Sequence, residues 1–195
     1  MNQSPIDLDC KYPNQSSGNL KLDITHISEE PGIVNEGLQI ECKGSLTFGA
    51  GVNKTLKSML KFEQFHFHAP SEHTLNGVRY PLEMHLVNTW EDQIVVIAFL
   101  FMEGIRNRFV QALLDEDLKL VDHELETMVN TQHKYLYYLG SLTTPPHTEG
   151  VHWLLSAIQP QLSRDQIVAF RDKFGWGNFR DLQDTNGRQV RMLVV

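Results

Sequence analysis

Three histidines, His66, His68 and His85, stand in two short segments, FEQFHFHAPSEH (62–73) and PLEMHLVN (81–88), each with the alternation of a β-strand. Residues two apart on a strand point to the same side, about 7 Å from one another. Gln64, His66 and His68 therefore share one face, with Phe65 and Phe67 behind them. On the second segment Glu83, His85 and Val87 share a face, while Met84 and Leu86 take the other. Laid side by side, the two strands bring three imidazoles to one point, backed by a carboxamide and a carboxylate. Such partners fix the tautomer and orientation of a ligand ring. Three neutral ligands suit Zn²⁺ and leave a fourth tetrahedral position open for water, as in a catalytic zinc site. One histidine in a strand is ordinarily a core or surface residue. The H-x-H pair, the third histidine and the polar residue two positions before His66 and His85 together make this a metal centre.

A second group of interest lies far down the chain. Leu142-Thr143-Thr144-Pro145-Pro146 follows an aromatic strand, YLYYLGS (135–141). Two consecutive prolines stiffen a loop and admit a cis X-Pro bond. By itself this is a strand-ending turn. Beside a metal it offers two threonine hydroxyls that could orient metal-bound water, with Glu72 and Glu149 as carboxylates able to orient the threonine in turn.

The elements that must hold these groups are mostly strands. Segments with strand character are Leu20–Ile24, Gly37–Glu41, Lys57–Ala69, Leu82–Thr89, Ile94–Met102, Tyr135–Leu139 and Val151–Ile158. A helix is expected over Ile105–Asn130, broken once, with Phe109, Leu113, Leu118, Val121, Leu125 and Met128 at near-helical spacing. A second starts at Ser163, where Ser163 and Gln166 form a capping box, and stops at Gly175. Its apolar side is Ile167, Val168, Phe170 and Phe174. The expected fold class is α+β and β-rich: one domain over residues 1–195, built on a large mixed, mainly antiparallel central β-sheet with peripheral helices.

Bulk properties narrow the function. The chain has 195 residues, enough for one sizeable core, with 41% hydrophobic and 21% charged residues. A net charge of −7 argues against nucleic acid, which needs a basic footprint. The longest apolar run, IVVIAFLFM (94–102), is far short of the ~20 residues of a membrane helix and reads as a buried strand. No secretory signal pattern is visible in residues 1–30. Cys10 and Cys42 have no spacing pattern, and no function is assigned to them.

With those motifs in view, the chain resembles the α-class carbonic anhydrases. The matching stretches are NQSPIDL (2–8), FEQFHFHAPSEHTLNG (62–77), YPLEMHLV (80–87), IVVIAFL (94–100), GSLTTPPHTEGVHW (140–153), SRDQIVAFR (163–171) and NFRDLQDTNGRQV (178–190). The resemblance implies that His66, His68 and His85 ligate zinc, with Gln64 and Glu83 behind His66 and His85. It implies reversible hydration of CO₂ to bicarbonate and a proton by zinc-bound hydroxide. Thr143 would accept a hydrogen bond from that hydroxide and donate one to Glu72, and Thr144 would lie near the substrate. Val87, Val96, Leu142, Val151 and Trp153 would form the apolar pocket for CO₂. Partners are then the small molecules CO₂ and bicarbonate.

Three departures from the family pattern stand out. The family's proton-shuttling histidine follows an N-N-G stretch, and Asn35-Glu36-Gly37 here is followed by Leu38, which leaves His147 as the candidate shuttle. The chain starts at the QSPI motif, without the segment that family members carry ahead of it. His147 also stands where extracellular members carry a cysteine, which leans localisation towards the cytoplasm or an organelle interior.

Two rival readings differ in class. His66-x-His68-x₃-Glu72 also fits the first metal motif of the cupins, barrels that hold iron or manganese. Their second motif, a Gly/Pro-rich turn before the last histidine, is absent around His85, and the LTTPP loop has no part in that reading. The other rival is a catalytically impaired binding or structural module on the carbonic anhydrase fold. Such modules commonly lose a zinc histidine, whereas all three are present here.

Overall fold

The computed structural model describes residues 1–9, 11, 14–16, 19–35, 37–48, 59–132 and 134–195. Its strands are β1 (Asp7–Leu8), β2 (Asn14–Ser16), β3 (Leu20–Ile27), β4 (Gly32–Val34), β5 (Gly37–Phe48), β6 (Met59–His68), β7 (Thr74–Leu75), β8 (Val78–Arg79), β9 (Leu82–Trp90) and β10 (Gln93–Glu103). Helices α1 (Arg108–Leu114) and α2 (Leu118–Asn130) come next. The chain then forms β11 (Lys134–Ser141), β12 (Glu149–Ser156), β13 (Gln161–Leu162), α3 (Arg164–Phe174) and β14 (Arg191–Val194). The main sheet runs β2-β14-β11-β12-β10-β9-β6-β5-β3, with β13 added to β10 and β4 to β5. Its pairs are antiparallel except β2–β14, β10–β12 and β10–β13, so the sheet is mixed and mainly antiparallel, as expected. It is an open sheet rather than a cupin barrel.

Burial on both faces explains the uninterrupted apolar run of β10, which lies centrally between β9 and β12. Val95, Ile97, Phe99 and Phe101 belong to a core shared with Phe109, Leu113, Val121, Leu125 and Phe170 of the helices. Val96, Ala98 and Leu100 face the other way, into a second core with Ile6, Leu8, Tyr138, Val151 and Trp153. The helices thus cover one face of the sheet, and the three histidines lie on the other. The break expected between residues 105 and 130 falls between Leu114 and Leu118. Asp117 caps α2 there, its side chain accepting from Leu120 N–H at 3.1 Å.

Strand β3 ends the sheet and would otherwise leave bare backbone groups. Asn130 of α2 accepts from Leu22 N–H (2.7 Å) and donates to Leu22 O (3.0 Å), and Glu126 accepts from Ile24 N–H (2.6 Å). Two helical side chains therefore close an edge that would template further pairing. Residues 57 and 58 of the expected third strand lie outside the described residues, as does Cys10. Cys42 is a free, buried thiol. No described helix is long and apolar enough to cross a membrane.

Candidate metal centre

Antiparallel pairing sets the histidines. His66 of β6 stands directly opposite His85 of β9, and His68 opposite Glu83. Residues opposite one another in a ladder share a face, so all three rings rise on the same side. Their centroids lie 5.0 Å (His66–His68), 5.0 Å (His66–His85) and 4.6 Å (His68–His85) apart. One nitrogen from each falls within 4.8 Å of the others.

The far side of every ring is tied. His66 Nδ1 meets Gln64 Oε1 at 2.9 Å, His85 Nε2 meets Glu83 Oε1 at 2.6 Å, and His68 Nδ1 meets the backbone O of Asn178 at 2.7 Å. Carbonyl and carboxylate oxygens only accept, so each tied nitrogen carries the proton. His66 Nε2, His68 Nε2 and His85 Nδ1 are left as lone pairs. His66 Nε2 and His85 Nδ1 face each other at 3.2 Å with no proton to share, and His68 Nε2 is buried without a hydrogen-bond partner. Burial, and then the neighbouring His85 and His68 rings, hold the pKa of His66 well below the usual imidazole value. Burial likewise lowers that of His68. Three converging neutral lone pairs repel one another and suit a cation, so the residues fit zinc.

Glu83 anchors the arrangement. Its Oε1 is shared by His85 and by His73 Nδ1 (2.7 Å), and its Oε2 accepts from the backbone N–H groups of Glu72 and His73, both at 2.8 Å. Burial pushes this carboxyl up, but the imidazoles of His73 and His85 outweigh it and hold the group well below the carboxylate range. His73 Nε2 lies 2.6 Å from the Tyr138 hydroxyl, which is bonded to Ser4 Oγ at 2.9 Å. Glu72 accepts from Arg180 N–H through Oε1 (2.9 Å), while its buried Oε2 has no hydrogen-bond partner and stands 3.4 Å from His68 Nε2.

The rings floor a cavity of about 220 Å³. One wall is apolar, from Val87, Val96, Leu142 and Trp153. The other is polar, from Asn35, Gln39, Gln64 and Asn178, with Thr143 and Thr144 on the loop between them.

Comparison with known proteins decides the family. The model for eukaryotic-type carbonic anhydrase matches residues 1–194. The chain belongs to the carbonic anhydrase family. A carbonic anhydrase of Klebsiella pneumoniae is 32% identical over 97% of this chain and 79% of its own length. Alpha carbonic anhydrase 4 of Arabidopsis thaliana is 36% identical over 81% of this chain and 62% of its own length. Among solved structures, the alpha-carbonic anhydrase of Thermovibrio ammonificans in complex with sulfanilamide superposes with a TM-score of 0.77 at 27% identity, covering 97% of this chain and 86% of the other. Dioscorin complexed with ascorbate gives 0.78 at 26%, covering 98% and 85%. The family is named for enzymes that hydrate CO₂, and the cupin reading falls.

Within this carbonic anhydrase fold four expectations need correction. Val151 shares a face with Trp153 but comes two residues before it on β12, opposite Ile94 and fully buried in the second core, and is not among the cavity-lining residues. Leu38 does not stand where a shuttling side chain would. Gln39 is paired opposite His66 and faces the cavity, so Leu38 points to the helix side, buried against Leu113, Leu118 and Phe174. His147 is half-buried and is not among the cavity-lining residues. Glu149 is exposed and bonded to Asn2 and Gln3, away from the histidines. Sequence reading missed Asn178 behind His68, and His73, Tyr138, Ser4 and Arg180 behind Glu83 and Glu72. Ser4 stood in NQSPIDL, His73 in FEQFHFHAPSEH, Tyr138 in YLYYLGS, and Asn178 and Arg180 in NFRDLQDTNGRQV, with nothing local to say what each would touch.

Proposed function

We propose that this chain catalyses the zinc-dependent, reversible hydration of CO₂ to bicarbonate and a proton, with His66, His68 and His85 as the zinc ligands. The observation that carries the reading is the set of three inward lone pairs, each fixed from behind by Gln64, Asn178 or Glu83, at the foot of a cavity with one apolar wall. Zinc at such a site acidifies water to near neutrality, an established property of this family, and so makes a nucleophile available at physiological pH.

The chain's own residues supply the rest. Val87, Val96, Leu142 and Trp153 offer CO₂, which is uncharged and a weak acceptor, a surface that excludes competing water. Glu72 Oε2 is a buried acceptor in need of a donor, and the hydroxyl of Thr143, a buried residue lining the cavity, is the donor assigned to it. A hydroxyl that donates to Glu72 can only accept on its other side. Thr143 would then accept a hydrogen bond from the nucleophile and leave its lone pair turned towards the apolar wall. Gln64 and Glu83 are the partners that hold ligand tautomers, and Thr144 lines the same cavity beside Thr143. Residues 1–195 act as one catalytic domain on small-molecule substrates, without nucleic acid.

A stopped-flow measurement of CO₂ hydration on zinc-loaded protein tests the assignment. Activity that tracks one zinc per chain, and falls about 10²-fold in Thr143→Ala, is expected. A zinc-loaded protein that does not hydrate CO₂ would instead identify a binding module on this fold.

A further inference from the structure

Residues 2–4 lie against the loop that carries Thr143, and one side chain there joins that end of the chain to Arg180, the residue whose N–H holds Glu72. Gln3 Nε2 donates to His147 O (3.2 Å), on the loop between Thr143 and β12, and to Glu149 Oε1 (3.0 Å), at the first residue of β12. Gln3 Oε1 accepts from Arg180 Nη1 at 3.0 Å, and the backbone N–H of that same Arg180 donates to Glu72 Oε1 at 2.9 Å. Arg180 Nη1 also donates to Ser4 O (2.7 Å), a second tie to the residue next to Gln3. The loop itself is closed by Leu142 N–H to Thr148 O and His147 N–H to Thr144 O, both at 2.9 Å. Ser141, the last residue of β11 before the loop, is held by the reciprocal pair Ser4 N–H to Ser141 Oγ (2.9 Å) and Ser141 N–H to Ser4 Oγ (3.1 Å). A pull on His147 O or Glu149 is therefore a pull on the whole loop.

We infer that Gln3 is a positioning residue for the reaction, its carboxamide fixing how far the Thr143 loop stands from Glu72. The inference rests on Thr143 and Glu72 acting as a pair. Chemistry dictates the residue type. Only a side-chain amide presents two donors and an acceptor on one planar group, so it can hold a carbonyl and a carboxylate on one side and a guanidinium on the other. Glutamate would keep Arg180 but turn two donors into acceptors against His147 O and Glu149. Alanine would release both sides. The hydroxyl of Thr143 must meet Glu72 on one side and the nucleophile on the other, and misplacement by about 1 Å from a distant change is enough to cost up to 10²-fold in rate.

The test is a double-mutant cycle on zinc-loaded protein, reading kcat/KM for CO₂ hydration across pH together with zinc content and Tm. Gln3→Ala and Gln3→Glu should each lower kcat/KM about 10-fold. Zinc content and the pH midpoint should not move, because the ligands and their partners are untouched. In a Thr143→Ala background the same changes should cost less than about 2-fold, since nothing remains to be positioned. Gln3→Glu keeps side-chain size and the Arg180 contact, and so reads the loop side even if Gln3→Ala folds poorly. An equal loss in both backgrounds, or no loss in either Gln3 variant while Thr143→Ala is impaired, overturns the role of Gln3. Full activity in Thr143→Ala overturns the Thr143–Glu72 pair itself, a different result from the same plate of proteins.

Discussion

Glu83 shows how unequal the residues behind the histidines are. Its carboxylate is fully buried and takes hydrogen bonds from His85, His73 and two backbone N–H groups, whereas Gln64 behind His66 is neutral and lines the cavity. Loss of either ring should remove most of the bound zinc, but the cost to the metal-free fold should differ. His66→Ala frees a neutral amide that water can reach, and should change stability by well under 1 kcal/mol. His85→Ala strips a donor from a buried carboxylate, and should cost about 1–3 kcal/mol. Urea unfolding of the chelated variants checks this; equal costs would mean that Glu83 does not depend on His85. Gln39 supports a second expectation. Facing the cavity opposite His66, Gln39→His places an imidazole where it can take up and release protons near neutrality, so kcat at low buffer should rise with kcat/KM little changed. Leu38→His would bury that ring among the helices instead, with no gain in kcat and a loss of about 3 kcal/mol in stability. Counting along a motif put Leu38 at the cavity. One residue of register moves a side chain to the other face of a strand, and the pairing of β5 with β6 that settles it is not written in either strand alone.

Among the elements, strands were the more legible because the site depends on their period of two. His66, His68, Gln64 and Glu83 fall as alternation requires, and so do Phe65, Phe67, Met84 and Leu86 behind them. What alternation cannot supply is the partner from elsewhere in the chain. Asn178 reaches His68 through a backbone carbonyl, a group every residue owns, across 110 positions. Tyr138 reaches His73 across 65 and Ser4 across 134. The helices were legible from their caps, and one cap does more than the sequence showed. Ser163 and Gln166 form the expected box on α3, but Gln166 is almost fully buried, accepts from Asn107 N–H (2.8 Å) and donates to Asn107 O (2.7 Å). Asn107 is the N-cap of α1, so a single carboxamide ties the starts of two helices together. Ser163→Ala should cost about 1 kcal/mol, as for an ordinary cap. Gln166→Ala should cost about 2–3 kcal/mol, since it also leaves Asn107 backbone groups without partners. Equal losses in chemical denaturation would show that the bridge to α1 adds nothing.

Across the whole molecule, two cores on opposite faces of one sheet leave little room for charge, and the acids caught between them respond together. Burial pushes the Cys42 thiol up to about 12 and raises the phenols of Tyr135 and Tyr138 above their usual value. Each of these groups keeps its proton longer in the folded protein than in the unfolded chain. Their contribution to stability is therefore complete below the unfolded values, roughly 8.5 for cysteine and 10 for tyrosine, and is lost as pH rises towards the folded ones. Stability should fall from about pH 9 upwards, first through Cys42 and then more steeply through the two tyrosines, by up to about 1.4 kcal/mol per pH unit for each group titrating only in the unfolded state. Urea midpoints at pH 8, 9.5 and 10.5 read the decline. Cys42→Val should flatten its first part while leaving the phenolic part in place. Absorbance at alkaline pH gives an independent check: of the five tyrosines, Tyr135 and Tyr138 should ionise only as the fold opens. If all five titrate before unfolding, water reaches both cores, and the apolar wall beside the three histidines could not keep it from CO₂ either.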